Sequence, residues 1–199
     1  MNIDIQKILK SLSIAIPLKI ILQVFEAIFN FIIIRRVDPS VYGLTTITAF
    51  ISNINLFFIR QCLKKAYMRR SDTTDNNISY KTAHNIMLLG VFATLAISIF
   101  FNGLIAFIYS NKHPYFHFTA WIYVIDSLLV SVYELFIVEL TLNFEYKFVS
   151  VLDPVQLILG SFILSAFLKF RTFDSLLAFG LSQVLSKIIK IAFLLIYMM

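Results

Sequence analysis

Long apolar runs alternate with short polar stretches along the chain, and each run is about 20 residues or longer. A helix of that length is long enough to cross the ~30 Å hydrocarbon core of a bilayer. The pattern predicts six membrane-spanning helices in a single transmembrane domain, residues 1–199. Asp153 and Pro154 interrupt the start of the fifth run, which indicates a tilted or broken helix there. The predicted spans lie near residues 11–34, 41–63, 83–109, 118–140, 148–168 and 175–199.

The first run, "IPLKIILQVFEAIFNFIII", carries four polar side chains, Lys19, Gln23, Glu26 and Asn30. Their spacings of four, three and four residues place them within an arc of about 60° on a helix. A charged residue at mid-span costs about 2.5 to 3.5 kcal/mol on insertion scales. This stripe therefore needs protein partners or a water-filled cavity beside it.

The sixth run has a second polar stripe, and this one is cationic. In "FGLSQVLSKIIKIAF", Gln183, Lys187 and Lys190 lie within about 60° of one another. Lys187 is near the centre of the span, too deep to reach either surface easily. Two lysines on one face exceed the neutralising capacity of Glu26, which indicates a cavity for an anionic substrate such as a phosphate or pyrophosphate. We expect both stripes to share that cavity, with Glu26 meeting Lys187 if their helices are neighbours.

Polar groups also occur in the second, third and fourth spans. Asn53 and Arg60 recur at heptad spacing in the second, and Asp126 and Glu134 are about 80° apart in the fourth. We expect Asp126 and Glu26 to neutralise part of the positive charge, while contacts between helices or a proton relay are alternative roles for the acids. For the third span the pattern favours helix contacts through a row of small and polar residues, Gly90, Thr94, Ser98 and Asn102.

Composition and charge agree with a membrane location. Hydrophobic residues make up 59% of the chain, with 21 Phe, against roughly 45 to 50% in soluble domains. The formal net charge is +6, but the cationic residues flank the spans, so no nucleic-acid partner is predicted. The segment "RQCLKKAYMRR" concentrates five cations at the end of the second span and in the connection that follows it. By the positive-inside rule, this connection and both termini are predicted to be cytosolic.

Residues that could carry enzymatic or metal chemistry are sparse. Cys62 is the only cysteine, which excludes an intramolecular disulfide and a cysteine metal cluster. His113 and His117 are four residues apart, but a metal site needs a third ligand. The sequence contains no Gly-rich phosphate loop or HExxH element, and no nucleophile with an evident base. We predict no catalytic residue, metal or cofactor; a membrane enzyme acting on a lipid phosphate is the least supported alternative.

The segment "FNFIIIRRVDPSVYGLTTITAFISNINLFFIRQCLKKA" resembles the opening of the Rft family, endoplasmic-reticulum membrane proteins of the N-glycosylation pathway. The segment "YELFIVEL" is similar to the family's Glu-Leu-x-x-Glu-Pro stretch, and "FGLSQVL" is similar to a sixth-span stretch with a glutamine. The resemblance extends across most of the 199 residues. Matching positions in the opening segment are Asn30, Arg35, Gly43, Arg60, Lys64, Lys65 and Ala66.

The resemblance implies a fold like one lobe of the multidrug and lipid-oligosaccharide exporters, in which two six-helix lobes enclose a central cavity and rock to alternate access. It also implies that the protein translocates dolichyl-pyrophosphate-linked oligosaccharide in the endoplasmic-reticulum membrane, or assists that step. Candidate phosphate contacts are Lys19, Arg60, Lys187 and Lys190. Candidate cavity-lining or tuning residues are Gln23, Glu26, Asn30, Asn53, Asp126, Glu134 and Gln183.

Three positions depart from the family pattern. Gln23 replaces a usual basic residue, Gln61 an acidic residue, and Leu140 the proline of Glu-Pro. Family chains are more than twice as long, so we expect either a truncated product or a lobe that pairs with a second lobe or with another copy. The alternative function is a non-transporting membrane subunit, or half-protein, whose polar stripes bind the helices of a partner.

Overall fold

The computed structural model describes residues 17, 20–25, 27–57, 76–109, 113, 115–142, 146–170 and 173–198. Within those ranges the chain forms helices and no strand, and residues 35–38 form a short turn between the first two helices. The helices are α1 (Ile20–Ile34), α2 (Pro39–Phe57), α3 (Asn76–Tyr109), α4 (Phe116–Leu142), α5 (Tyr146–Phe170) and α6 (Ser175–Met198).

The protein is an all-α membrane helix bundle, as the sequence predicts. Three segments of the described chain are long and apolar enough to cross a membrane, namely Met87–Tyr109, Phe116–Val138 and Ser175–Met198. Two shorter apolar helices, Ile20–Ile34 and Pro154–Phe170, accompany them. Each described helix overlaps one of the predicted spans, whereas the number of helices that cross the bilayer stays a prediction.

Helix α5 runs without a break through Pro154. Proline lacks the N–H that would bond the carbonyl four residues earlier, and this loss breaks or kinks many helices. Pro154 is buried in the protein, and membrane helices tolerate proline where the protein re-satisfies the freed backbone groups. The alternative of a broken fifth helix is therefore wrong.

Short polar caps begin two of the helices. The Tyr42 backbone N–H donates to the Asp38 carbonyl at 3.0 Å, and Pro39 occupies the first position of α2, where a missing N–H costs nothing. Asp174 precedes α6, and its Oδ2 accepts the Leu176 backbone N–H at 3.1 Å. This is an N-cap, which satisfies one of the unpaired donors of the first turn.

Helices α4 and α6 form the centre of the bundle, since α4 contacts α2, α3, α5 and α6, and α6 also contacts α2 and α5. Small residues permit the close approach: a Cβ on Gly180 of α6 would lie 3.0 Å from Ile122 Cγ2 of α4. In α3, Thr94, Ser98 and Asn102 are buried, which agrees with the helix-contact interpretation of that row.

Two apolar clusters occupy different parts of the bundle. Phe148 near the start of α5 stacks on Tyr197 near the end of α6, with ring centroids 3.8 Å apart. This contact is expected if α5 and α6 are antiparallel neighbours. It lies beside the second of the two clusters, whose residues are given below. The first cluster contains Ile33, Val37, Val41, Leu44, Ile105, Phe116, Leu164, Leu176 and Ala178. The second contains Tyr133, Ile137, Leu140, Leu152 and Leu194.

Candidate functional site: a polar cavity inside the bundle

A cavity of about 430 Å³ lies among helices α2, α4, α5 and α6. Its described lining mixes apolar side chains with ionisable and amide groups, although all four helices are predominantly apolar. In α6, the lining residues Gln183, Lys187 and Lys190 fall between the parts of that helix that enter the two apolar clusters. The polar described lining residues are Ser52, Asn53, Tyr123, Asp126, Tyr133, Gln156, Gln183, Lys187 and Lys190.

Lys187 of α6 forms an ion pair with Asp126 of α4, where its Nζ donates to Oδ2. The two side chains are 13% and 4% exposed, so little solvent screens the pair. The other carboxylate oxygen, Oδ1, has no hydrogen-bond partner among the described residues. The carboxylate is therefore held to the lysine on one side and faces the bundle interior on the other.

Lys190 lies one turn further along α6 and contacts two uncharged groups. Its Nζ donates to Gln156 Oε1 of α5 at 2.8 Å and lies 3.6 Å from the centroid of the Tyr133 ring of α4. An ammonium over an aromatic face is attracted by the ring quadrupole. Lys190 is only 4% exposed, so these contacts hold a cation inside the bundle at the junction of three helices.

A smaller cavity of about 100 Å³ adjoins the first and shares Gln156, Leu157 and Gln183 with it. Asn30 of α1 and Ser161 of α5 also line it. The described lining of this smaller cavity contains no charged side chain. The two cavities are thus neighbours, and lysines line the main one, whereas the polar groups described in the smaller one are neutral.

The structure brings most of the described candidate residues together. Asn53, Asp126, Gln183, Lys187 and Lys190 line the main cavity, as a shared cavity requires. Asn30 lines the adjoining one together with Gln183, so one member of the first-span stripe and one of the sixth-span stripe line the same small cavity.

The remaining candidates divide into two groups. Glu134 is buried and Gln23 is exposed, and neither lines these two cavities; the angular offset of Glu134 from Asp126 on α4 directs it elsewhere. Lys19, Glu26 and Arg60 lie outside the described residues. The contact expected between Glu26 and Lys187 is therefore open, and the described carboxylate at Lys187 is Asp126.

Sequence reasoning missed Gln156, Ser52, Tyr123 and Tyr133 as lining residues. A signal existed for Gln156, because it is an amide in an otherwise apolar membrane run, the class of residue that marks internal sites. Tyrosine and serine give no comparable signal, since both occur widely at membrane interfaces and helix contacts.

Comparison with known proteins places the chain in a family. The Man(5)GlcNAc(2)-PP-dolichol translocation protein RFT1 of Candida albicans is 33% identical over 73 residues, which cover 37% of this chain and 13% of that protein. No solved structure matches the chain. The family described as Rft protein matches residues 7–199. Because that match covers nearly the whole sequence, the chain belongs to the Rft protein family.

Proposed function

We propose that this chain forms a membrane lobe that binds the pyrophosphate group of a dolichol-linked oligosaccharide and takes part in its translocation across the endoplasmic-reticulum membrane. The observation that carries the proposal is the pair of lysines, buried Lys190 and largely buried Lys187, in a cavity of about 430 Å³ within an apolar helix bundle. The similarity to the Man(5)GlcNAc(2)-PP-dolichol translocation protein of Candida albicans supports the choice of substrate.

The charge of the described cavity suits an anion. Among the described lining residues, two are lysines, Lys187 and Lys190, and one is a carboxylate, Asp126. A lipid-linked pyrophosphate is a dianion, and charge-assisted hydrogen bonds from ammonium groups are the strong kind. Lys19 and Arg60, both outside the described residues, are proposed as additional phosphate contacts.

The Asp126 carboxylate acts in this proposal as a counter-ion that the substrate displaces. While the cavity lacks an anion, Asp126 compensates the charge of Lys187. An entering phosphate offers Lys187 an alternative partner and weakens the hold of Asp126 on it. Such an exchange avoids leaving a buried ammonium without compensating charge, the state that costs most in a low-dielectric interior.

The outer surface of the bundle is suited to contact with the lipid chain of the substrate. Large aromatic side chains of α3 face outward, including Phe92 at 70% and Phe107 at 86% exposure. In a bilayer these side chains contact acyl and prenyl chains. A second six-helix lobe, or another copy of this chain, is proposed to complete the central cavity, with both termini in the cytosol.

The test is the profile of dolichol-linked oligosaccharides in cells that are depleted of this protein and supplied with variants. We expect Lys190→Met, and separately the charge-neutral double variant Asp126→Asn with Lys187→Met, to fail to clear an accumulated mannose-bearing intermediate. The matched control is Lys169→Met, because Lys169 is exposed at the end of α5 and outside the cavity. All variants must reach the membrane at the level of the unaltered chain.

Two outcomes would count against the proposal. A profile that depletion leaves unchanged removes the role in oligosaccharide handling. If the cavity variants instead clear the intermediate normally but lose a co-purifying membrane partner, the polar groups bind partner helices, as in the non-transporting alternative.

A further inference from the structure

The smaller cavity differs chemically from the main one. Its polar described lining consists of the amides of Asn30, Gln156 and Gln183 and the hydroxyl of Ser161. These groups hydrogen bond neutral hydroxyl and amide groups, and they lack the positive charge that holds a phosphate. The cavity therefore suits an uncharged polar ligand rather than a second anion.

Its size restricts the ligand further. Its volume of about 100 Å³ is less than a quarter of the 430 Å³ of the main cavity. That space takes one hydroxylated ring at most and excludes a branched oligosaccharide. A ligand that is larger overall can place only a single ring there.

Gln156 connects the two cavities, and its orientation is fixed by Lys190. An ammonium group has only donors, so the Gln156 atom that faces Lys190 Nζ at 2.8 Å must be the carbonyl oxygen Oε1. The Nε2 group on the other side of the amide is then available to donate, and no described residue accepts from it. One hydrogen bond therefore positions both groups: Gln156 Nε2, a candidate donor to a sugar ring, and Lys190 Nζ, a candidate phosphate contact.

We propose that the smaller cavity binds the sugar ring attached directly to the phosphate of a lipid-linked substrate, while the lysines of the main cavity bind the phosphate. The inference rests on the proposed function, which it deepens by assigning a separate subsite to the sugar. Asn30 and Ser161 line the smaller cavity and are absent from the described lining of the main one. They are therefore the positions at which sugar binding can be weakened without touching the phosphate contacts.

The experiment compares two ligands on the full chain in lipid nanodiscs: a polyprenyl pyrophosphate and the same lipid carrying one N-acetylglucosamine on the pyrophosphate. In the double variant Asn30→Leu with Ser161→Ala, we expect about tenfold weaker binding of the sugar-bearing lipid, as the loss of two neutral hydrogen bonds implies. Binding of the sugar-free lipid should be unchanged. The control variant Lys190→Met should weaken the binding of both lipids.

The outcomes separate this inference from the function on which it rests. If the double variant binds both lipids like the unaltered chain, or weakens both equally, the sugar subsite is wrong and the phosphate site stands. If the unaltered chain binds neither lipid, the proposed function fails, and the subsite fails with it.

Discussion

Removal of the Asp126 carboxylate is expected to destabilise the protein more than removal of both charges of its ion pair. Asp126 and Lys187 are 4% and 13% exposed and bonded to each other. Deleting one partner of a buried pair typically costs about 3 to 5 kcal/mol, because the remaining charge is left in a poorly solvated site, whereas replacing both by apolar residues is often neutral. Asp126→Leu should therefore cost roughly 3 to 5 kcal/mol in the free energy of unfolding, and the double variant Asp126→Leu with Lys187→Met much less.

The assay is thermal unfolding of the purified chain in detergent, followed by the loss of the monodisperse peak in size-exclusion chromatography. A change of 1 kcal/mol shifts the Tm of a chain this long by roughly 2 to 4 °C, so Asp126→Leu should lower Tm by roughly 6 to 20 °C. The double variant should recover most of that loss. If Asp126→Leu unfolds at the same temperature as the unaltered chain, or if the double variant is no more stable than the single one, the pair has no energetic role and the reasoning is refuted.

Two further predictions concern helix packing and capping. Gly103→Ala should raise the free energy of unfolding by about 0.5 to 1 kcal/mol through helix propensity, because no heavy atom lies within 4 Å of the added Cβ. Gly180→Ala should lack that gain because its Cβ would lie 3.0 Å from Ile122 Cγ2; equal Tm values for the two variants would contradict the close packing of α4 and α6. Asp174→Ala should cost about 1 kcal/mol through loss of the α6 cap, and Asp174→Asn should cost less because asparagine also caps. A larger loss in Asp174→Asn than in Asp174→Ala would show that the charge, through the His113 contact at 4.0 Å, matters more than the cap.

The helical periodicity of polar residues was sufficient to predict one wall of the cavity. Gln183, Lys187 and Lys190 share a face because of their spacing alone, and the structure places all three at one cavity. The helices follow equally directly from the apolar runs. Within one helix, the spacing of residues in the sequence determines which side chains share a face, because the helix has 3.6 residues per turn.

Contacts between helices were harder to predict. Lys187 and Asp126 are 61 residues apart in sequence, and a hydrophobic pattern contains no information on which helices are neighbours or at what depth their side chains meet. The sequence predicts that Glu26 and Asp126 both neutralise the lysines of α6; the structure shows Asp126 at Lys187, while Glu26 lies outside the described residues. Gln156 is a lone amide that forms no stripe in the sequence, although in the structure it contacts Lys190 and lines both cavities.

The arrangement of apolar and polar layers explains how one bundle could serve a ligand with opposite ends. Along α6, buried Leu176 belongs to one apolar cluster and Leu194 to the other, with Lys187 and Lys190 between them. Among the described residues, the lining of the main cavity shares only Tyr133 with the two apolar clusters, whereas the smaller cavity is also lined by Ile33 and Leu164 of the first cluster. In the proposed function, the head group of the lipid lies at the depth of the lysines while its chain contacts the aromatic outer surface. One lipid molecule can make both contacts at once only if the cavity opens sideways toward the bilayer. This requirement favours entry of the head group between two helices.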